Sequence, residues 1–137
     1  MMTKKYLSLL LFTVLLIVPA IHKVTNPMPP DWFVEKFSDS FIGIVPGGIS
    51  MSYFVILALE IVGPVLLVTS LFLMITKRQY HKMLSAGFIT CYLLFIVLTF
   101  GSFLVEDYEN GFRDFIYFVG ILYVDNSLFS IEKNKGN

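Results

Sequence analysis

Four apolar stretches, separated by short polar segments, set the pattern of this chain. The first, residues 6–22, places 16 uncharged residues between Lys5 and His22, mostly Leu, Val and Ile. The second, residues 50–76, follows Pro46-Gly47-Gly48, a sequence that stops any earlier helix, and carries one charge, Glu60. The third, residues 83–105, has 23 residues and no charge at all. The fourth, residues 113–131, starts near Arg113 and Asp114 and contains Asp125, ten uncharged residues after Asp114. About 20 mostly apolar residues cross about 30 Å of hydrocarbon as a helix. The pattern therefore predicts an all-α chain, an integral membrane four-helix bundle forming a single domain over residues 1–137. Lys5 and Lys23 extend the short first span by snorkelling.

Residues 23–49 are the longest segment outside these stretches. Pro27, Pro29 and Pro30 break its start. Phe33, Phe37 and Phe41 then recur at i, i+4 and i+8 against Asp31, Glu35 and Asp39, which predicts a short amphipathic helix over about 31–42. Trp32 at its head suits the headgroup region. Such a helix lies on the outer interface or caps the bundle; the sharper reading is a lid over a cavity that opens outward. The first stretch also has a rival reading. Lys4-Lys5, an apolar core and Val18-Pro19-Ala20 resemble a secretory signal peptide, whose removal would leave three spans.

Composition agrees with the membrane class: 56% of residues are hydrophobic and 15% charged, with mean hydropathy +0.77, against about 25% charged in an average soluble domain. Ten basic residues balance ten acidic ones, so nucleic acid is not an expected partner. With four alternating crossings, one side holds Lys4, Lys5, Lys77, Arg78, Lys82, Lys133 and Lys135, and the other only Lys23, Lys36 and Arg113. That asymmetry puts both termini in the cytoplasm.

Glu60 and Asp125 are the residues that need a reason. Glu60 lies about ten residues, or about 15 Å, into the second span, and Asp125 about 16 Å past Asp114, so both acids are expected at similar depth near the midplane. A charged acid there costs at least about 2.5–3.5 kcal/mol, and must be protonated, paired or turned toward water or the bundle interior. Two neighbouring carboxyls sharing a proton would carry protons or orient a quinol-like head group. The structural alternatives are a Glu60 that locks neighbouring helices together and an Asp125-Asn126-Ser127 that ends the last helix. Pro64 cannot bond the Glu60 carbonyl, four residues back, so a kink and a polar pocket are expected there, with Gly63 opening room. Gly63 and Ser70 also allow close helix contact.

Other residue types add little. His22 and His81 fall at opposite membrane faces, which argues against a bis-histidine haem within one chain and leaves only a single-histidine site shared with a partner. Cys91, the single cysteine, reads as a packing group. There is no phosphate loop, Ser/His/Asp set or metal-ligand spacing, so no catalytic residue, metal or cofactor is expected.

One stretch carries a family resemblance. Ala20-Ile21-His22-Lys23-Val24 ends the first helix, a Pro-containing amphipathic segment follows, and Leu57-Ala58-Leu59-Glu60-Ile61-Val62-Gly63-Pro64-Val65-Leu66-Leu67 begins with an acid, an apolar pair and glycine before aliphatics. This order resembles the DoxX-like family of small four-span membrane proteins over about residues 6–75. It departs from that pattern at Ile21-His22, where glycine is usual before the lysine, and at Pro64. The resemblance implies a four-helix inner-membrane protein, with Lys23 and Glu60 as the positions carried over; some relatives are subunits of quinone-linked oxidoreductases, including thiosulfate oxidation. The expected function is an accessory or assembly subunit of a membrane redox complex, with the lipid bilayer, a redox partner protein or a quinone as partners. The alternative is a small proton-coupled carrier using Glu60 and Asp125, for which four short helices would need a homo-oligomer.

Overall fold

A computed structural model describes residues 2–76 and 78–133, with side chains from residue 6 to 128 except those of 22 and 77. The side chains of Lys4, Lys5, His22, Lys77 and Lys133, and all of Lys135, lie outside the described residues. Among the described residues every element is helical: α1 (Met2–Val24), α2 (Asp31–Ser38), α3 (Phe41–Ile44), α4 (Gly48–Ile75), α5 (His81–Leu104) and α6 (Tyr108–Lys133). Two of them, α4 and α5, are long and apolar enough to cross a membrane, and residues 6–21 of α1 form a shorter apolar run.

Each long helix buries one stripe at helical spacing. On α1 it is Leu9, Thr13, Leu16 and Ala20; on α4, Tyr53, Ile56, Leu57, Glu60, Gly63, Pro64, Leu67 and Ser70; on α5, Leu84, Gly87, Phe88, Cys91, Leu94 and Phe95. Spacings of three and four keep a stripe on one face. The stripes pack in the order α1, α4, α5, α6, and α1 meets α6 only sparsely. Small residues set the closest approaches. A Cβ on Gly87 would lie 2.8 Å from Leu67 Cδ2, and one on Gly63 would lie 3.3 Å from Cys91 Sγ. Buried hydroxyls bond their own helices, Thr13 to the Leu9 carbonyl at 2.7 Å and Ser70 to the Leu67 carbonyl at 2.8 Å, so they carry no unmet demand.

The amphipathic segment departs from the single helix expected over 31–42. It breaks at Asp39-Ser40, where Ser40 is extended (φ −86°, ψ 166°) and its hydroxyl bonds the Phe37 carbonyl at 2.7 Å. The break follows from packing: any Cβ on Gly43 would fall 2.1 Å from the Ser38 carbonyl oxygen, so α3 folds directly back on the end of α2. Phe33 and Phe37 are buried, Phe33 at 5.3 Å from the Tyr53 ring and Phe37 over Gly101, whereas Phe41 is exposed. Gly47, at φ +73°, turns the chain into α4, a conformation that glycine adopts at little cost.

The upper end, defined here as the one that carries α2 and the α5–α6 turn, is held by charge. Lys36 of α2 is ion-paired with Asp107, which also accepts bonds from the Asn110 amide side chain and backbone as it opens α6. The Lys36 ammonium, with the Asn110 bonds behind it, holds the Asp107 carboxyl down at about 2.

Candidate functional site

Lys23 falls on the continuation of the α1 stripe after Leu16 and Ala20, and Glu60 sits in the middle of the α4 stripe. Two helices packed along those stripes therefore bring the pair together. The Lys23 ammonium is 2.7 Å from Glu60 Oε1 and 2.6 Å from Oε2. The Glu60 side chain is 8% exposed and that of Lys23 27%, so the acid is inside and the cation reaches the surface. Oε1 receives a well-directed hydrogen bond; Oε2, beside the same ammonium, does not.

Glu60 forms the polar floor of a cavity of about 600 Å³ between α1, α5 and α6. The walls are apolar, with Phe12, Leu16 and Pro19 from α1 and Leu94, Phe95 and Leu98 from α5; Arg113, Asp114 and Tyr117 of α6 complete the lining. Its location follows from one contact. A Cβ on Gly120 would lie 3.1 Å from the Phe12 ring, so α1 and α6 close where glycine admits that ring. Above this point the seam holds the cavity, and Val14, Leu15, Val18, Arg113 and Tyr117 on its rim are exposed. A second hollow of about 440 Å³ lies on the other side of Lys23, between Asn26, Pro29, Pro30, Asp31, Trp32 and Tyr53. Lys23 lines this hollow, and its partner Glu60 lines the seam cavity.

Asp125 is paired apart from Glu60. Its Oδ2 accepts a hydrogen bond from the Tyr92 hydroxyl of α5, while Oδ1 is buried without a hydrogen bond. Asp125-Asn126-Ser127 lies within α6, which continues to Lys133. Asp114 is the acid of α6 that lines the seam cavity with Glu60; Asp125 is eleven residues, or about 16 Å, farther along the helix. Helix α6 begins at Tyr108, so Arg113 and Asp114 are already inside the helix instead of marking its edge. Glu60 and Asp125 belong to two separate polar pairs.

Gly63 and Pro64 are both buried on the α4 stripe, Gly63 against Cys91 and Thr90 and Pro64 among the most enclosed side chains. Helix α4 runs unbroken from Gly48 to Ile75 through Pro64.

Against family models, curated proteins and solved structures, the chain finds no match. Function therefore has to be argued from the site.

Sequence reasoning passed over Tyr92, Arg113, Asp114 and Tyr117 as site residues. The spacing of Gly111, Asp114, Phe118, Ile121, Asp125 and Leu128, at threes and fours, was the available signal that both acids of α6 face inward.

Proposed function

We propose that the protein is a DoxX-like, four-span integral membrane bundle of the bacterial inner membrane, both termini cytoplasmic, acting as a non-catalytic accessory or assembly subunit of a quinone-linked redox complex. In this reading the seam cavity receives a quinone-type head group from the bilayer. The membrane setting is supported by the exterior. Of the most apolar 18 residues of α4 and of α5, only 39% and 33% are buried. Leu7, Leu11 and Val18 of α1 and Phe112, Ile116 and Val119 of α6 are likewise exposed. Soluble monomers rarely expose an apolar surface this continuous.

The observation that carries the functional reading is the cavity itself. Its volume suits a small ligand, its walls are apolar and partly aromatic, and its floor is an ion-paired acid. It also opens through the apolar exterior, where a lipid-soluble molecule would enter. The carrier alternative draws no support from this geometry, since Glu60 and Asp125 have different partners.

Two measurements test the proposal. Membranes washed at alkaline pH should retain the protein; release into the supernatant would refute the integral placement. A mild-detergent pull-down, read by mass spectrometry and an optical spectrum, should recover a flavin- or haem-containing membrane protein. A colourless homodimer with no bound quinone would refute the redox-subunit reading.

A further inference from the structure

We propose that the second hollow, beneath α2, binds the zwitterionic head group of a phospholipid, with its phosphate on Lys23 and the Tyr53 hydroxyl and its ammonium on Asp31 and Trp32. The inference leaves the seam cavity aside and shares only the bilayer placement with the proposed function.

The deep wall of the hollow supplies donors. Tyr53 is 3% exposed, yet its hydroxyl makes no hydrogen bond among the described residues. Buried tyrosine hydroxyls ordinarily find a partner. The side chain lines the hollow, and its oxygen keeps open surface there. Lys23 lines the same hollow. Its ammonium has three N–H groups and directs one well-aligned bond at Glu60 Oε1, while the side chain remains 27% exposed. Both residues thus have donor capacity to spare, and a phosphodiester oxygen accepts strongly from either.

The mouth has the opposite character. Asp31 and Trp32, the first two residues of α2, line it and are exposed. Asp31 makes no ion pair among the described residues, whereas the Lys23 charge is already matched by Glu60. The unmatched charge of the lining is therefore negative. It opposes a phosphate that comes alone and accepts one that carries an ammonium beside it. Indole faces attract ammonium and quaternary ammonium groups, and tryptophan favours the head-group layer. Donors deep in the hollow, with an acid and an indole at its mouth, repeat the order of phosphate and ammonium along a phosphatidylethanolamine or phosphatidylcholine head.

The hollow is also preformed. Pro29 and Pro30 stiffen the chain that walls it. Helix α2 is pinned above it by Phe33, 5.3 Å from the Tyr53 ring, and by the Lys36–Asp107 ion pair. A volume of about 440 Å³ is that of a small-ligand site.

The test is native mass spectrometry of the full-length protein, released from mild detergent and titrated with dioleoyl-phosphatidylethanolamine, dioleoyl-phosphatidylcholine and dioleoyl-phosphatidylglycerol. The glycerol lipid keeps the phosphodiester and lacks the ammonium. One copy of either zwitterionic lipid should be retained, about fivefold or more tightly than the glycerol lipid. Asp31→Asn should bring the three lipids to within about twofold of one another, and Tyr53→Phe should weaken phosphatidylethanolamine about tenfold. Tyr53→Phe should leave SDS-driven unfolding unchanged, because the hydroxyl bonds nothing within the fold; a merely structural tyrosine would not separate the two readouts. Equal retention of the three lipids by the wild type, or unaltered phosphatidylethanolamine binding in Tyr53→Phe, overturns the inference. Displacement of the lipid by millimolar inorganic phosphate would assign the hollow to free phosphate and overturn the head group. None of these results touches the seam cavity, whereas release by the alkaline wash would remove the bilayer placement on which both readings stand.

Discussion

The Lys23–Glu60 pair should fail asymmetrically when its members are removed one at a time. Lys23→Met keeps the length of the stem but leaves the Glu60 carboxylate, 8% exposed, with no counter-ion. Breaking a buried pair in this way costs about 3–5 kcal/mol, mainly through the uncompensated charge. Glu60→Gln leaves the lysine instead, and Lys23 is 27% exposed and borders the hollow beneath α2, so its ammonium can turn outward to Asn26 and Asp31. The cost there is one charge-assisted hydrogen bond, about 1–2 kcal/mol. The double variant carries no stranded charge and should lose no more than Lys23→Met alone, which makes the coupling energy at least the cost of Glu60→Gln alone, about 1–2 kcal/mol. The assay is SDS-driven unfolding in mild detergent, followed by far-UV circular dichroism, for wild type, both single variants and the double. Losses of equal size in the two single variants, or a double variant that equals their sum within about 0.5 kcal/mol, would refute the argument.

Three further outcomes follow from the packing and the upper latch. Gly87→Ala places a methyl group 2.8 Å from Leu67 Cδ2 and should lower stability by about 1–3 kcal/mol in the same unfolding assay, whereas Gly63→Ala, with 3.3 Å to Cys91 Sγ, should cost less. Tyr92→Phe removes the hydroxyl that bonds Asp125 and should cost about 1–3 kcal/mol, with Asp125→Asn adding little to it in the double variant. The Asp107 carboxyl is held down at about 2, from an ordinary 3.8, by Lys36 first and then Asn110. Because the folded value is the lower one, its stabilisation is present above pH about 4 and fades as pH falls toward 2. Thermal unfolding measured across that range should show a decline that is reduced in Lys36→Met and in Asp107→Asn; an unchanged profile in both would remove the latch.

What the sequence made legible, and what it hid, divides along physical lines. Helices α1, α4 and α5 were readable because an uncharged run bounded by charges or by Pro46-Gly47-Gly48 leaves few other solutions. The break between α2 and α3 was hidden because Phe41 continues the i+4 recurrence of Phe33 and Phe37, while the local fold-back that brings Gly43 against the Ser38 carbonyl leaves no mark in the apolar period. Tyr92 was hidden because an aromatic in an uncharged span gives the same periodic signal whether it packs or donates to Asp125. The cavity depends on where α1 and α6 separate, which the meeting of Phe12 with Gly120 decides and no single-helix pattern contains. Charges mark the ends of most apolar runs in this chain, yet Arg113 and Asp114 stand about one and a half turns inside α6 and line a cavity. A charge inside an apolar bundle is tolerated where it faces a partner or a polar hollow. The spacing of Asp114 and Asp125 along one stripe therefore says more about their surroundings than the length of uncharged chain between them.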